Sequence, residues 1–566
     1  MPARLCPEVR RLLPRRAHGT RRSRRYPKIA DALGGGRGCS VSTGWIRRLM
    51  EDLVAPIRKH DEHRSRKTTL GLTIRDIVIS SGLLALFAAF FARGGRFVID
   101  LPKPSRLADV NVTNGVSSET CGPAPQDGHT IIVEMLYSGD KRAWIDEAAT
   151  RFAKICPTIQ IKATSASSVE GADAILKGEV KPTIWSPADD LVLRYFDARW
   201  REDHDRSPFD ITKQVSLVRS PLMVLIWEDR LEVLGAIFEK NKNGEGQWVN
   251  SLCPGVPRDP QNLDEMALEH KVPGTWSDWY DSVVPAALPQ PPAPAARRVD
   301  KRTKRAYIAP FPTVDEIKRW GQVKITHPSP TRSAEGLEAL YLMAYEYALP
   351  PSDRPAALQE RIKEAFEQPA KEGGIVRGDL AEADFARSFQ ERREPFQRWL
   401  ERCEAGAPPP TASADVLTDA MFSLGASRYD AVVTQEHLIF GVFQQIDMHA
   451  DVMTEVRVVY PQPTIVNEHP VVIFDDGQIT AEQRTAAEKW IGFLRSMEMQ
   501  KLAVKRGFRP VNTELKLRNI EDTENPFLKF RRYGVELDTT FVEAPRLDGK
   551  FVAELTRAWR DATGRH

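Results

Sequence analysis

The sequence predicts an α/β protein preceded by a single N-terminal transmembrane helix. Three observations predict it. Apolar runs of strand length alternate with stripes of helical spacing between Ile131 and Met497, which implies parallel sheets with ligands at the C-terminal ends of strands. An uninterrupted weakly polar-to-apolar run, IVISSGLLALFAAFFA, occupies Ile77 to Ala92. The 566 residues are 42% apolar and 28% charged, near the globular average, which excludes a wholly disordered or fibrous chain. The length suits three or four domain-sized units, or two lobes with tails.

The head is basic and the body acidic. Residues 1–76 carry 19 Lys/Arg against 7 Asp/Glu, and the remainder is net −9. Clustered positive charge is therefore missing where the chain folds, which argues against a nucleic-acid surface. Residues 1–76, with eight arginines between Arg10 and Arg25 and a glycine run at Gly34–Gly38, read as a largely disordered cytoplasmic tail. The 16-residue run after it spans roughly 24 Å, short of a hydrocarbon core of about 30 Å. Arg75 and Arg93 flank it and extend its reach by snorkelling. A buried helix would show a polar face, and a cleaved signal peptide would show an A-x-A site. An uncleaved anchor over 77–93 fits best, and the basic excess before it places the main domain outside the cytoplasm, at the bacterial inner membrane. Residues 94–127 are a Gly-, Pro-, Ser- and Asn-rich linker.

Folded sequence begins at Ile131. Ile131–Leu136 is a strand, Ile145, Ala148, Phe152 and Ile155 follow at helical spacing, and Ile159–Ile161 is a second strand. Val215–Trp227 reads as a long strand interrupted by Pro221. Leu337, Leu340, Tyr341 and Ala344 make a helix stripe, and Val432–Val433 a short strand. Thr480 and Gln483 form a capping box ahead of the stripe Trp490, Phe493, Leu494 and Met497. Residues 281–305 (Pro-rich, then basic) and 351–412 (a charged helical pattern ending in Pro408–Pro410) read as insertions.

Small hydroxyl residues recur where strands feed helices: Ser138; Ser167 and Ser168; Ser186; Ser220 beside Pro221; Thr331 and Ser333. Each is an N-cap candidate. The same free N–H groups, at the positive end of a helix dipole, bind an anion.

In these segments the chain resembles bacterial extracellular solute-binding proteins with the type 2 periplasmic-binding fold, in the branch near the molybdate and sulfate binders. LYSGDKRAWIDEAATRFAKICPTIQI and SASSVEGADAILKGEVKPTIWSPADDLVLRYF resemble the family's opening. LVRSPLMVLIWEDR, TWSDWY, WGQVKITHPSPTRSAEGLEALYLMAYEY, SRYDAVVTQEHL and WIGFLRSMEMQKLAVKRGFRPVN continue the likeness in order. The resemblance implies a domain over 128–530 with two α/β lobes, 128–220 with 465–530 and 221–464, followed by an extension at 531–566. It further implies a ligand held by Ser138, Ser167, Ser168, Ser186, Ser220, Thr331, Ser333 and Glu436. An acid at 436 departs from an oxyanion pocket and leaves a cationic or zwitterionic ligand open.

Other candidates are weaker. His60-Asp61-Glu62-His63 has metal-like composition but lies in the tail. His327 precedes the Thr331 loop and is either structural or at the cleft. Trp185, Trp227, Trp276 and Trp279 suit a core better than a ligand platform. Cys121, Cys156, Cys253 and Cys403 are permitted disulfides in an oxidising compartment, their pairing open. No nucleophile–base pairing is legible and no cofactor is implied. The expectation is a membrane-anchored receptor that captures a small molecule or oxyanion for an ABC-type permease or for sensing. The alternative is an envelope scaffold with a degenerate fold.

Overall fold

The computed structural model describes residues 128–240, 312–350, 381–411, 413–448, 456–475, 477–520, 525–537 and 540–565, with Cys121 and shorter pieces between 252 and 376. The tail, the expected anchor at 77–93, most of the linker, Trp279 and much of the two insertions lie outside the described residues. Among the described residues no helix is long and apolar enough to cross a membrane.

The first part alternates strand and helix: β1 (Ile131–Ser138), α1 (Arg142–Ile155), β2 (Ile159–Ala166), α2 (Ser168–Leu176), β3 (Ile184–Ser186) and α3 (Asp190–Trp200). Next come β4 (Val215–Ser216), β5 (Val218–Trp227), α4 (Glu228–Lys240) and a hairpin of β6 (Arg297–Val299) and β7 (Ala306–Ile308). The middle holds α5 (Val314–Arg319), β8 (Ile325–Thr326), α6 (Ala334–Ala348), β9 (Ile375–Val376), α7 (Glu382–Glu391), α8 (Arg393–Gly406) and α9 (Ala414–Leu424). It continues through β10 (Ala431–Gln435), α10 (Glu436–Met448) and β11 (Val456–Val459). The last part contains β12 (Val466–Asn467), β13 (Pro470–Ile473), α11 (Ala481–Leu494), α12 (Met497–Lys505) and β14 (Arg509–Pro510). It closes with α13 (Pro526–Lys529), β15 (Phe541–Val542) and α14 (Gly549–Thr563).

Two main sheets result. The first has the order β2-β1-β3-β13-β4, with β1 parallel to β2 and β3 and with β13 antiparallel to β3. The second has the order β11-β5-β10-β8. In α1 the spacing of Trp144, Ile145, Ala148 and Phe152 turns those four side chains inward, and α11 opens on the Thr480–Gln483 capping box. Both follow from amphipathic periodicity and end chemistry.

The strand expected to break at Pro221 does not break there; it breaks at Leu217, between β4 and β5. Proline lacks an N–H and fits a strand only where no ladder bond is asked of it. Along β5 the partners change: Val218 and Arg219 face β14, Ser220 and Pro221 face β12, and Leu222 onward faces β10. Pro221 therefore falls where the chain passes between the two sheets, and β5 with β12 forms the crossing.

The core does not stop at either sheet. One continuous apolar cluster joins Trp185, Leu191 and Phe196 from the first part to Leu337, Tyr341 and Trp399 from the second, with Val552, Leu555 and Trp559 of α14. Helix α6 is buried along all 15 residues. The stretch expected as an extension thus contributes to the core, with α14 packed on α3 as well as on α6 and α8. Two disulfides close the open pairing question: Cys121–Cys156 and Cys253–Cys403, with Cα separations of 5.5 and 5.6 Å.

Candidate functional site

The site lies beside the crossing. After β1 the chain makes a single tight turn, Gly139–Lys141, before α1, which sets two ionisable side chains at the C-terminal edge of the first sheet. Lys141 is fully buried. Its Nζ donates to Ser138 Oγ, to the carbonyl oxygens of Ser186 (3.0 Å) and Pro187 (3.1 Å), and lies 3.3 Å from His469 Nδ1. Burial pulls this ammonium down to about 8, against the opposing attraction of Asp140 and Glu335.

Asp140 points to two histidines. Its Oδ2 is 3.6 Å from His437 Nε2 and 3.5 Å from His469 Nδ1. His437 is the second residue of α10, and His469 sits between β12 and β13 at φ 41°, left-handed backbone that a non-glycine residue seldom adopts and that often marks a functional position. Phe508 braces both rings, stacked on His437 at 4.1 Å and edge-on to His469 at 5.1 Å. Burial and the Lys141 ammonium push His437 down to about 3 and His469 well below its ordinary value. Burial pushes the Asp140 carboxyl up, against the pull of Lys141 and Ser138.

These groups are polar, enclosed and incompletely bonded. Both Asp140 oxygens, Ser186 Oγ, His437 Nε2 and His469 Nε2 have no hydrogen-bond partner, although buried polar groups are nearly always paired. Glu338 Oε1 and Asn467 Oδ1 share that condition, while Asn467 Nδ2 donates to Glu338 Oε2 at 3.1 Å. Burial lifts Glu335 to about 7, with repulsion from Asp140 adding to it, and lifts Glu338 well above its ordinary value. Beyond Glu338, Arg546 is satisfied by Asp189 (2.6 Å), Asp190 (3.0 Å) and Glu543 (3.2 Å). Asp140 and Glu335 both attract the Lys141 ammonium, whereas Glu338 lies among Asp189, Glu335 and Arg546.

The eight residues expected at the ligand have diverse roles. Ser138 and Ser186 meet at Lys141. Ser220 Oγ lies 2.9 Å from His437 Nδ1 and accepts that residue's backbone N–H at 3.3 Å. Ser168 Oγ accepts from the Ala188 amide at 3.1 Å. Ser167 donates to the Arg332 carbonyl, tying the start of α2 to the loop before α6. Thr331 pairs with Ser329 at 3.0 Å, and Ser333 caps α6 through the Gly336 amide (3.1 Å) while donating to Glu335 (2.9 Å). Glu436 is neutralised: it forms a buried two-pronged pair with Arg509, both contacts 2.7 Å, and accepts from Tyr460. The acidity foreseen at Glu436 resides instead in Asp140, Glu335 and Glu338.

Asp140, Lys141, His437 and His469 escaped the sequence reading. Two signals were present: an Asp-Lys pair in the first junction, and a histidine next to the singled-out Glu436. His327 is structural: its Nδ1 donates to Pro328 O at 2.7 Å and its Nε2 to Glu404 at 2.8 Å. Trp185, Trp227 and Trp276 are buried in the core. His60-Asp61-Glu62-His63 lies outside the described residues.

Two sheets joined by a strand crossing, with a polar cluster beside it, frame the site. The chain belongs to the bacterial extracellular solute-binding proteins, whose family model matches residues 133–509. Solved structures it is similar to include a ferric binding protein from Campylobacter jejuni, at 11% identity and TM-score 0.38, covering 76% of this chain and 98% of that one. Another is the sulfate-binding protein SubI from Mycobacterium tuberculosis H37Rv, at 13% identity and TM-score 0.34, covering 73% of this chain and 94% of that one. Iron-bound HitA from Pseudomonas aeruginosa is similar at 11% identity and TM-score 0.39, covering 76% and 99%. No curated protein sequence matches the chain.

Proposed function

We propose that this chain is an extracytoplasmic receptor, held at the membrane by its N-terminal segment, that closes two lobes over a small solute and presents it to an ABC-type permease. The observation that carries the reading is the convergence of unpartnered, buried polar atoms from four separate segments: Asp140, Ser186, His437 and His469. Leaving such atoms unpaired costs about 1–3 kcal/mol each, and a guest that bonds them recovers that cost. Asp140 and Ser186 lie at the C-terminal edge of the first sheet and His437 in the helix that follows β10 of the second, so a guest touching all of them favours the closed arrangement. The two disulfides support an oxidising compartment.

One observation favours the scaffold alternative: the hydroxyls of Ser138, Ser167, Ser168 and Ser333 bond the protein's own groups. Native mass spectrometry of the purified full chain, with melting temperatures measured against metal ions, oxyanions, amino acids and sugars, separates the two. A receptor copurifies with a small molecule or gains melting temperature with one class. A flat response across the panel supports the scaffold.

A further inference from the structure

We propose that the guest is a divalent first-row transition-metal ion, coordinated by Asp140 Oδ2, His437 Nε2 and His469 Nδ1. This rests on reading the polar cluster at the crossing as a solute site and names what that site takes. The separations of 3.6 and 3.5 Å from Asp140 to the two ring nitrogens are close to the spacing of two donors on one ion. Metal–ligand bonds of about 2.0–2.1 Å place neighbouring donors roughly 3.3–3.5 Å apart. All three donor atoms lie within 4.8 Å of one another. Their side chains are only 8%, 3% and 0% exposed, so they form an enclosed set, unlike a surface patch of acids.

The surroundings suit ligation. A metal-bound histidine ordinarily donates its other ring N–H to an oxygen that fixes the ring, and His437 has Ser220 Oγ at 2.9 Å from Nδ1 for that purpose. Phe508 holds both rings in place. Two imidazoles and one carboxylate suit zinc, iron, cobalt or nickel better than magnesium or calcium, which take oxygen donors. Lys141 contacts the same His469 nitrogen, so its ammonium competes with the ion and sets the affinity. Because Asp140 follows β1 and His437 opens the helix after β10, the ion bridges the two lobes.

Cobalt(II) and zinc(II) titrations of the full chain test this. They are run in a His60→Ala/His63→Ala background, which removes the tail motif as a competing binder. Cobalt should give tetrahedral visible bands that saturate at one equivalent, and zinc should raise the melting temperature. Asp140→Asn, His437→Ala and His469→Ala should each weaken binding by roughly 100-fold, and Ser220→Ala by about tenfold. Lys141→Met should tighten binding, and exposed His204→Ala should leave it unchanged. A pale octahedral cobalt spectrum, or saturation that survives all three ligand substitutions, overturns the inference. Should those variants fail to fold, the wild-type cobalt bands decide. If no metal binds while an oxyanion, amino acid or sugar raises the melting temperature, the metal inference falls and the receptor reading stands. If nothing binds, both fall.

Discussion

At the residue scale, His327 shows how a buried charge stabilises the fold. Both ring nitrogens meet acceptors, Pro328 O and Glu404, which requires the imidazolium. Glu404 also receives Trp559 Nε1 at 3.0 Å and Arg565 at 3.2 Å, so it stays ionised. Burial works to lower the His327 pKa, but the Glu404 carboxylate outweighs it and holds the ring above its ordinary value. Burial works to raise Glu404, but His327, Trp559 and Arg565 together hold it below its own ordinary value. The pair's contribution is therefore full between the two ordinary values. It is lost as pH rises past about 6.5 and through the folded histidine value, and again as pH falls below the glutamate range. Melting temperatures recorded from pH 5 to 9 should decline on the alkaline side in the wild type. In His327→Gln that limb should be flat, and breaking the pair should cost about 3–5 kcal/mol at pH 6. A wild type whose alkaline decline persists in the variant counts against the charged pair.

At the element scale, α6 depends on one close approach. A Cβ on Gly336 would stand 2.2 Å from the Pro328 carbonyl oxygen and 2.6 Å from the Ser329 carbonyl carbon. Both are backbone atoms that cannot swing aside. Gly336→Ala should cost about 3 kcal/mol, seen as a lower urea midpoint at unchanged slope. The same element shows what sequence can and cannot reveal. The stripe of Leu337, Leu340, Tyr341 and Ala344 and the Ser333 cap follow from local spacing, as do β1, β2 and the Thr480–Gln483 box. The full burial of α6, with Glu335, Glu338 and Glu346 inside, does not, because it is set by helices arriving from elsewhere in the chain. Pro221 marked a real change, but the change was of strand partner, which composition alone does not encode. The cluster of Asp140, His437 and His469 was illegible for the same reason: Asp140 precedes the two histidines by nearly 300 positions and becomes their neighbour only through the β5–β12 crossing.

For the molecule as a whole, α14 is decisive. It buries Phe551, Val552, Leu555 and Trp559, and at about 1.5–3 kcal/mol for each large apolar side chain these amount to roughly 10 kcal/mol. That is comparable to the entire stability of a domain, about 5–15 kcal/mol. Removing residues 546–566 should therefore abolish the near-ultraviolet circular dichroism and shift the chain to aggregates in size-exclusion chromatography. A truncated chain that keeps a cooperative melt would show that the two sheets are stable without the helix.

Helix α14 also ties the two sheet regions together, since it packs on α3 beside the first and on α6 and α8 beside the second. Parting them exposes a seam of hydrocarbon to water, so the barrier to opening scales with that wetted area. For a receptor of the kind proposed above, release of a guest then waits on that rupture, and its dwell time is long.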